Sequence, residues 1–336
     1  MTKLMMSRLS RRRFTQLVGG SFALTAAGFS ARAQGLKTVN FSEAVHNLGY
    51  INLYVGMHAG IFEENGLDMK VSSAGGDTQT FAAVLGGSAD FAIGDATMAQ
   101  ISREQGGPGM VVGTVVQRAH YFGVSRNLEP MASPEEFRGL TIVTSPDPNT
   151  NFSVAKRMLE TAGMVIGQDA NILQVNPGTE IGAMLAGQAD MAIAYQPSVA
   201  SAIDQGAQVV FDFAEYIGPF CNTGIMVLES TIERDPEMVQ ALVTSFEQAS
   251  RLTYADPDFA KEVARREFSD LPPEVVDAAI EAQLQYRIPA ETVAVQRDQW
   301  DNLMDMQLYL GNVEGTVAFE EIIDNTFAEN AVASLG

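Results

Sequence analysis

The sequence predicts an α/β protein of two similar lobes with a helical C-terminal tail, and three observations predict it. The first is an internal repeat. Leu85-Gly86-Gly87-Ser88-Ala89-Asp90-Phe91-Ala92-Ile93 recurs one hundred residues later as Leu185-Ala186-Gly187-Gln188-Ala189-Asp190-Met191-Ala192-Ile193, with Leu, Gly, Ala, Asp, Ala and Ile in register. Ala83/Ala183 and Gln105-Gly106/Gln205-Gly206 extend the match without a gap. Second, short apolar runs alternate with amphipathic stretches before Ser230, and only helical periodicity follows it. Third, 336 residues are more than one simple core holds.

Each repeat copy reads as helix, turn, strand, helix. The helix ends near a Gly, the residue that takes positive φ at low cost. A polar Asp leads into a short apolar strand, and a second helix follows, as in an α/β lobe. Ala and Gly are abundant in this chain, but six coincidences in nine positions make chance the weaker explanation.

The remaining elements follow in order. Thr38 to Phe41 reads as a short strand. Leu48 to Ala59 is a helix stopped by Gly60, and a further turn ends at Gly66. Leu67 to Ser72 alternates apolar and polar residues, as a half-buried strand does. Met110 to Val116 is almost wholly apolar, which predicts a strand covered on both faces. Leu140 to Thr144 opens the second lobe, and a helix runs from about Asn151 to Ala162 with Asn149, Thr150 or Asn151 as its cap. Ile172 to Val175, Met191 to Ala194 and Val209 to Phe213 supply further strands, and the chain crosses back through Gly218 to Gly224. Pro236, Pro257 and Pro272-Pro273 start successive helices, and Val293 to Leu310 forms another. This tail is expected to pack on the first lobe and lock the two crossings into a hinge.

The N-terminus reads as an address. Ser10-Arg11-Arg12-Arg13-Phe14-Thr15-Gln16 precedes a modest apolar stretch, Leu17 to Phe29, and Ala31-Arg32-Ala33 suits a signal peptidase. The Ser-Arg-Arg-x-Phe run resembles a twin-arginine export signal, which implies the twin-arginine translocase as a partner. Residues 1–33 are therefore expected to be a cleaved signal peptide, with the mature chain starting at Gln34 in the periplasm. Those residues hold six of the 21 basic side chains and no acidic one, so cleavage leaves 15 against 41, a formal charge of −26. Such a surface repels nucleic acid and anionic lipid. Cys221 is alone, which precludes an intramolecular disulfide, and three scattered histidines show no zinc spacing. No metal or cofactor is expected, and the many methionines read as core filling.

Three segments then resemble a known family. Leu53 to Met69, containing Gly60-Ile61-Phe62-Glu63-Glu64-Asn65-Gly66-Leu67, is similar to its opening block. Gly75-Gly76-Asp77-Thr78 followed by Leu85 to Asp90 is similar to its second, and Phe137-Arg138-Gly139-Leu140-Thr141-Ile142 resembles its entry to lobe two, without the usual second lysine. The family comprises ABC-importer binding proteins for nitrate, sulfonates, taurine and thiamine-pyrimidine precursors. The resemblance implies the type II periplasmic binding protein fold: two Rossmann-like α/β lobes joined by a two-crossing hinge, with ligand between them. Residues 34–124 and 222–336 would form lobe one with the helical tail, and 125–221 lobe two.

Ligands of open α/β sheets sit beyond the carboxyl ends of the strands, near helix N-termini. The candidate contacts are therefore His46, Asn47, Gly76, Asp77, Thr78, Asp95, Ala96 and, after the strand ending at Val116, Gln117 in lobe one, and Asn149, Thr150 and Tyr195 in lobe two. Asp77, Thr78, Asn149 and Thr150 serve equally as helix caps, Asp95 as a solvated turn residue, Tyr195 as a packed aromatic and His46 as a satisfied polar group. Arg118 is expected to pair with a carboxylate. The reading is a periplasmic receptor that captures a small, nitrogen-bearing organic solute by closing and delivers it to the permease of an ABC importer. The rival is a ligand-presenting subunit of a sensing system. An enzyme is disfavoured: a related pyrimidine-precursor synthase needs a cysteine-rich motif and iron, and here no Gly-x-Ser-x-Gly elbow, P-loop or His-Glu-x-x-His motif occurs.

Overall fold

The computed structural model describes residues 35–147 and 149–336; the expected signal peptide and its cleavage site lie outside the described residues. Lobe one begins β1 (Lys37–Glu43), α1 (Ile51–His58), α2 (Ile61–Glu64), β2 (Leu67–Ser73), α3 (Asp77–Leu85), β3 (Phe91–Gly94), α4 (Thr97–Glu104) and β4 (Gly109–Arg118). Lobe two runs β5 (Phe122–Ser125), β6 (Thr141–Thr144), α5 (Thr150–Thr161), β7 (Asn171–Gln174), α6 (Glu180–Leu185), β8 (Met191–Ala194), α7 (Ser198–Asp204), β9 (Gln208–Asp212) and α8 (Phe213–Ile217). The chain returns on β10 (Pro219–Leu228) and ends in α9 (Glu229–Arg234), α10 (Pro236–Ala255), α11 (Pro257–Glu267), α12 (Pro273–Gln285), α13 (Arg297–Leu310), α14 (Phe319–Ile322) and α15 (Thr326–Leu335).

Two five-stranded mixed sheets result, ordered β2-β1-β3-β10-β4 and β7-β6-β8-β5-β9. In each, three parallel strands continue into an antiparallel pair. The crossings fall earlier than the sequence boundaries place them. Phe122–Ser125 already belongs to the second sheet, and β10 rejoins the first from Pro219. The short strand β5 carries no periodicity long enough to mark it, so it goes unseen in the sequence.

The repeat has a structural cause. Gly87 and Gly187 both take positive φ, +73° and +74°, at the end of α3 and α6. Asp90 then exchanges bonds with the neighbouring strand: its N–H donates to Asn40 O at 2.7 Å, and its carboxylate accepts from Asn40 N at 2.9 Å. Asp190 makes the same pair with Thr141, at 2.8 Å each way. The repeated Asp thus sets the register of the third strand against the first in both lobes.

The tail corrects one expectation. β4 is buried along its length, as a strand covered on both faces should be, but it lies at the sheet edge, and the tail covers that edge. Thr114 N–H donates to Val293 O at 2.8 Å, Gln117 N–H to Ile288 O at 3.0 Å, and Val111 O accepts from Asp324 at 2.9 Å. An open edge would present unpaired backbone, so the tail's extended segments serve as its partner. The tail also packs on both lobes instead of the first alone. α12 lies against α7, joining Val276, Ala279 and Ile280 to Val199 and Ala202 in one apolar cluster. From α13, Tyr309 Oη donates to Glu160 of α5 at 3.2 Å.

Helix starts follow the Pro signals. Asp235 and Asp256 each cap the helix that Pro236 or Pro257 opens, accepting from Met238 N at 3.2 Å and Phe259 N at 3.0 Å. In lobe one, Phe41 packs tilted and Phe62 edge-on against Phe246, at centroid distances of 5.8 and 5.4 Å, with almost no exposure. Burying each contributes roughly 1.5–3 kcal/mol.

Candidate ligand-binding cleft

A cavity of about 160 Å³ lies between the two sheets, beyond the carboxyl ends of their parallel strands. From lobe one it receives the segments after β1 (Ala44, Val45, Asn47, Tyr50), β2 (Gly75, Gly76, Asp77) and β3 (Asp95). Lobe two supplies Ser145, Asn149, Thr150 and Asn151 after β6, Pro177 after β7 and Tyr195 after β8. The crossings close the back with His120, Tyr121, Asn222 and Thr223.

The acidic side of the cleft is built by close packing. Asp95 N–H donates to Asp77 Oδ1 at 2.7 Å, which ties the start of α3 to the end of β3. Gly94 is needed for this: a Cβ there would lie 2.6 Å from the same oxygen. Asp95 Oδ1 accepts from Thr97 N at 2.9 Å, and its Oδ2 meets Thr150 Oγ1 of the other lobe at 3.5 Å. Burial first, then the charge of Asp77, pushes the Asp95 carboxyl up to about 6. Burial also raises Asp77. Two carboxylates this close in low dielectric resist ionising together.

The aromatic side centres on His120. Its ring lies 4.9 Å from Tyr121 and 5.6 Å from Tyr195, centroid to centroid. Burial lowers its pKa to about 4, so the ring is neutral at ordinary pH, and Nδ1 is buried without a hydrogen-bond partner. Asn47 Oδ1 accepts from Gly49 N at 2.7 Å, and a Cβ at Gly49 would meet that oxygen at 2.7 Å and His120 Nδ1 at 2.9 Å. Asn222 Oδ1 is likewise buried, with no donor among the described residues. On the lobe-two floor Ser145 Oγ donates to the buried Glu180 at 2.5 Å and lies 3.3 Å from Asn151 Nδ2.

Seven of the eleven expected contacts line this cavity: Asn47, Gly76, Asp77, Asp95, Asn149, Thr150 and Tyr195. Four do not. His46 stacks on Phe268 at 4.7 Å and lies 3.3 Å from Glu43, because that buried carboxylate and Glu267 draw it away; both raise its pKa, the bond to Glu43 most. Thr78 is exposed on the outer face of α3, 3.9 Å from Met98 Sδ. Ala96 is fully buried beneath the cleft floor. Gln117 is spent on the tail, donating to Arg287 O at 3.0 Å and accepting from Glu291 N at 3.3 Å. Arg118 forms no ion pair among the described residues; it donates to Ala214 O at 3.4 Å, its charge opposing the burial that raises Asp212.

The residues missed in the sequence are chiefly Tyr50, His120, Tyr121, Asn222 and Thr223. No motif marks them. Four lie where the chain crosses between lobes, and the two-crossing topology alone would have singled out those segments, since crossings must back the cleft.

Comparison with known proteins places this geometry. The chain is 20% identical over 323 residues to the putative binding protein YtlA of Bacillus subtilis, spanning 94% of this chain and 96% of that one. Its fold superposes on the periplasmic aliphatic sulphonate binding protein SsuA of Escherichia coli with a TM-score of 0.67 at 17% identity, covering 87% and 91% of the two chains. The desulfurization enzyme DSZB has the same fold, with a TM-score of 0.67 at 14% identity and coverage of 89% and 99%. The fold is thus that of periplasmic binding proteins, and it also carries at least one enzyme. Residues 47–260, most of both sheets and the first long tail helices, match the family described as NMT1/THI5 like, and the chain belongs to that family.

Proposed function

We propose that this protein is the solute-binding component of an ABC importer, that it works in the periplasm, and that it binds its solute without transforming it. The observation that carries the reading is the cleft itself: one small cavity lined from both lobes, backed by both crossings, at the strand ends where α/β folds hold ligands. A solute there touches both lobes only when they close on it, so binding favours the closed state through differential affinity. The membrane permease then reads the closed rims. The likeness to YtlA and SsuA supports a receptor; the DSZB fold keeps an enzyme as the alternative. Against catalysis, Cys221 is fully buried, its thiol pushed up to about 12 by burial, and His120 is neutral with no carboxylate bonded to it. Ser145 Oγ, a cleft hydroxyl bonded to a carboxylate, has Glu180 and Asn151 as its partners and no histidine among the described residues.

The solute we propose is organic and bears nitrogen, because carboxylates line the cavity and two lining residues, His120 and Asn222, carry buried polar atoms without partners among the described residues. Export by the twin-arginine translocase rests on the Ser10–Gln16 run and is tested by replacing Arg11 and Arg12 with lysine and following periplasmic accumulation.

The test of function takes residues 34–336, unfolds and refolds them to strip bound solute, and screens thermal stability against taurine, alkanesulfonates, nitrate, aminopyrimidines, thiamine, riboflavin and aromatic acids. A true ligand at about one hundred times its Kd adds about 2.7 kcal/mol. Scattering with that ligand should show compaction. A stabilising solute that is chemically altered on incubation would move the protein to the enzyme class, and binding without compaction would refute closure.

A further inference from the structure

We propose that the cleft is built for a compact organic cation of the amidinium or guanidinium class, held by the outer oxygens of Asp77 and Asp95 against the aromatic wall. The inference rests on the receptor reading above and adds the charge and shape of the solute.

The lining contains no lysine and no arginine, so an anionic solute would find no cationic side chain to offset two carboxylates. Each carboxylate is anchored through one oxygen and spares the other. Asp77 Oδ1 takes the Asp95 N–H, and Asp95 Oδ1 takes the Thr97 N–H. Among the described residues Asp77 Oδ2 accepts no side-chain bond, and Asp95 Oδ2 has only the 3.5 Å approach of Thr150, at the limit of a hydrogen bond. The spared oxygens therefore offer acceptor positions that a planar cation with several N–H groups fills in a fork.

An independent group makes the same demand. Asn222, only 8% exposed and on β10 at the back of the cleft, has a buried Oδ1 with no donor among the described residues. An unsatisfied buried acceptor costs free energy, which a solute N–H reaching it on closure would recover. Tyr50, Tyr121, Tyr195 and the neutral His120 supply π faces, which attract cations most strongly in a desolvated site. A cavity of about 160 Å³ admits a small planar solute.

The same geometry links binding to protons. The groups facing the acidic pair are Tyr50 before α1, His120 and Tyr121 at the first crossing, Thr150 on α5, Tyr195 after β8 and Cys221 on β10. Burial keeps the tyrosines and Cys221 protonated and His120 unprotonated, so all are neutral near pH 7. Glu43 and Glu180 stand behind the two walls, already bonded to Tyr54 and Ser145. With Asp95 losing its proton at about 6, a proton and the cation compete for the pair.

The test uses acetamidinium and methylguanidinium, which keep their charge throughout, against the uncharged acetamide and N-methylurea and the anion methanesulfonate. Each is added at about 10 mM to the refolded residues 34–336, where even millimolar affinity gives a measurable thermal shift. A cation should stabilise the protein at pH 8, its uncharged counterpart should not, and affinity should fall toward tenfold for each pH unit below 6. Asp95→Asn should abolish the response while the variant melts as a folded protein. Equal or better stabilisation by the uncharged or anionic solutes overturns the cation and leaves the receptor reading intact. No response to either cation, with wild type folded, also overturns it. Failure of the receptor reading shows separately, as absence of any ligand in the wider screen and of compaction on ligand addition.

Discussion

Replacing Asp95 by asparagine should make the empty protein more stable at pH 8, although the residue sits in the proposed site. Its carboxyl is raised from 3.8 to about 6, first by burial and then by Asp77. A raised carboxyl means that the folded chain binds more protons than the unfolded one between those two values. Stability is therefore full below pH 3.8, falls as pH rises toward 6, and is flat above it. A shift of about 2 units at 1.36 kcal/mol each costs about 3 kcal/mol at pH 8. This is an upper bound, because Asp95 keeps some contact with cleft solvent. Asparagine carries no charge to desolvate, and its Oδ1 can still accept from Thr97 N. With about 2.1 cal/mol/K of unfolding entropy per residue over about 300 residues, up to 3 kcal/mol is at most ~5 °C in Tm. The assay is thermal melting of both proteins without ligand at pH 4 and pH 8. The expected result is a higher Tm for the variant at pH 8 and a difference that closes at pH 4. A variant less stable than wild type at pH 8, or a gap unchanged by acid, would refute the reasoning.

Four further outcomes follow from the packing. Gly49→Ala should cost about 1–3 kcal/mol in urea unfolding and weaken ligand binding, because its Cβ lands on Asn47 Oδ1 and His120 Nδ1. Glu43→Ala should cost about 2–3 kcal/mol, since it strips Tyr54 Oη of its 2.7 Å acceptor in a buried site and frees His46 and Ser73. Asp90→Ala and Asp190→Ala should each cost about 1–2 kcal/mol, and the double variant should equal the sum within about 0.5 kcal/mol, because the two clamps sit in separate sheets. Cys221 should resist a thiol reagent in the folded protein and react only on unfolding, as a fully buried thiol pushed up to about 12 requires.

What was legible in the sequence was whatever local physics dictates. The repeat announced two lobes because one device, an Asp after a positive-φ glycine, sets strand register in each. The Pro starts and the strand-end loops were equally local, and they located seven cleft residues. The rest depended on which groups meet across long chain separations. His46 is held away by Glu43 and by Glu267, the latter 221 residues away. Gln117 was taken by a tail whose run along β4 leaves no local trace. Tyr50, His120 and Asn222 entered the cleft because two crossings converge there.

The repeat and the cleft also explain each other. Asp95 and Tyr195 lie one hundred residues apart, each directly after the third strand of its own sheet, and both line the cavity. Asp77 and Pro177, and Val45 and Ser145, share that offset and that location. The scaffold is therefore duplicated while the side chains it presents are not. Lobe one supplies two carboxylates held at a cost and Tyr50; lobe two supplies Tyr195, hydroxyls and amides, and the first crossing supplies His120 and Tyr121. A site so divided is incomplete in either lobe alone: the charge sits on one wall, and the rings that would hold a cation are shared among lobe one, the first crossing and lobe two. In the proposed closure the two come together, and a solute satisfying both would return the desolvation cost that Asp95 carries without it. For that reason the substitution that stabilises the empty protein should be the one that disables capture, and measuring both properties on Asp95→Asn links the fold to its proposed function in a single variant.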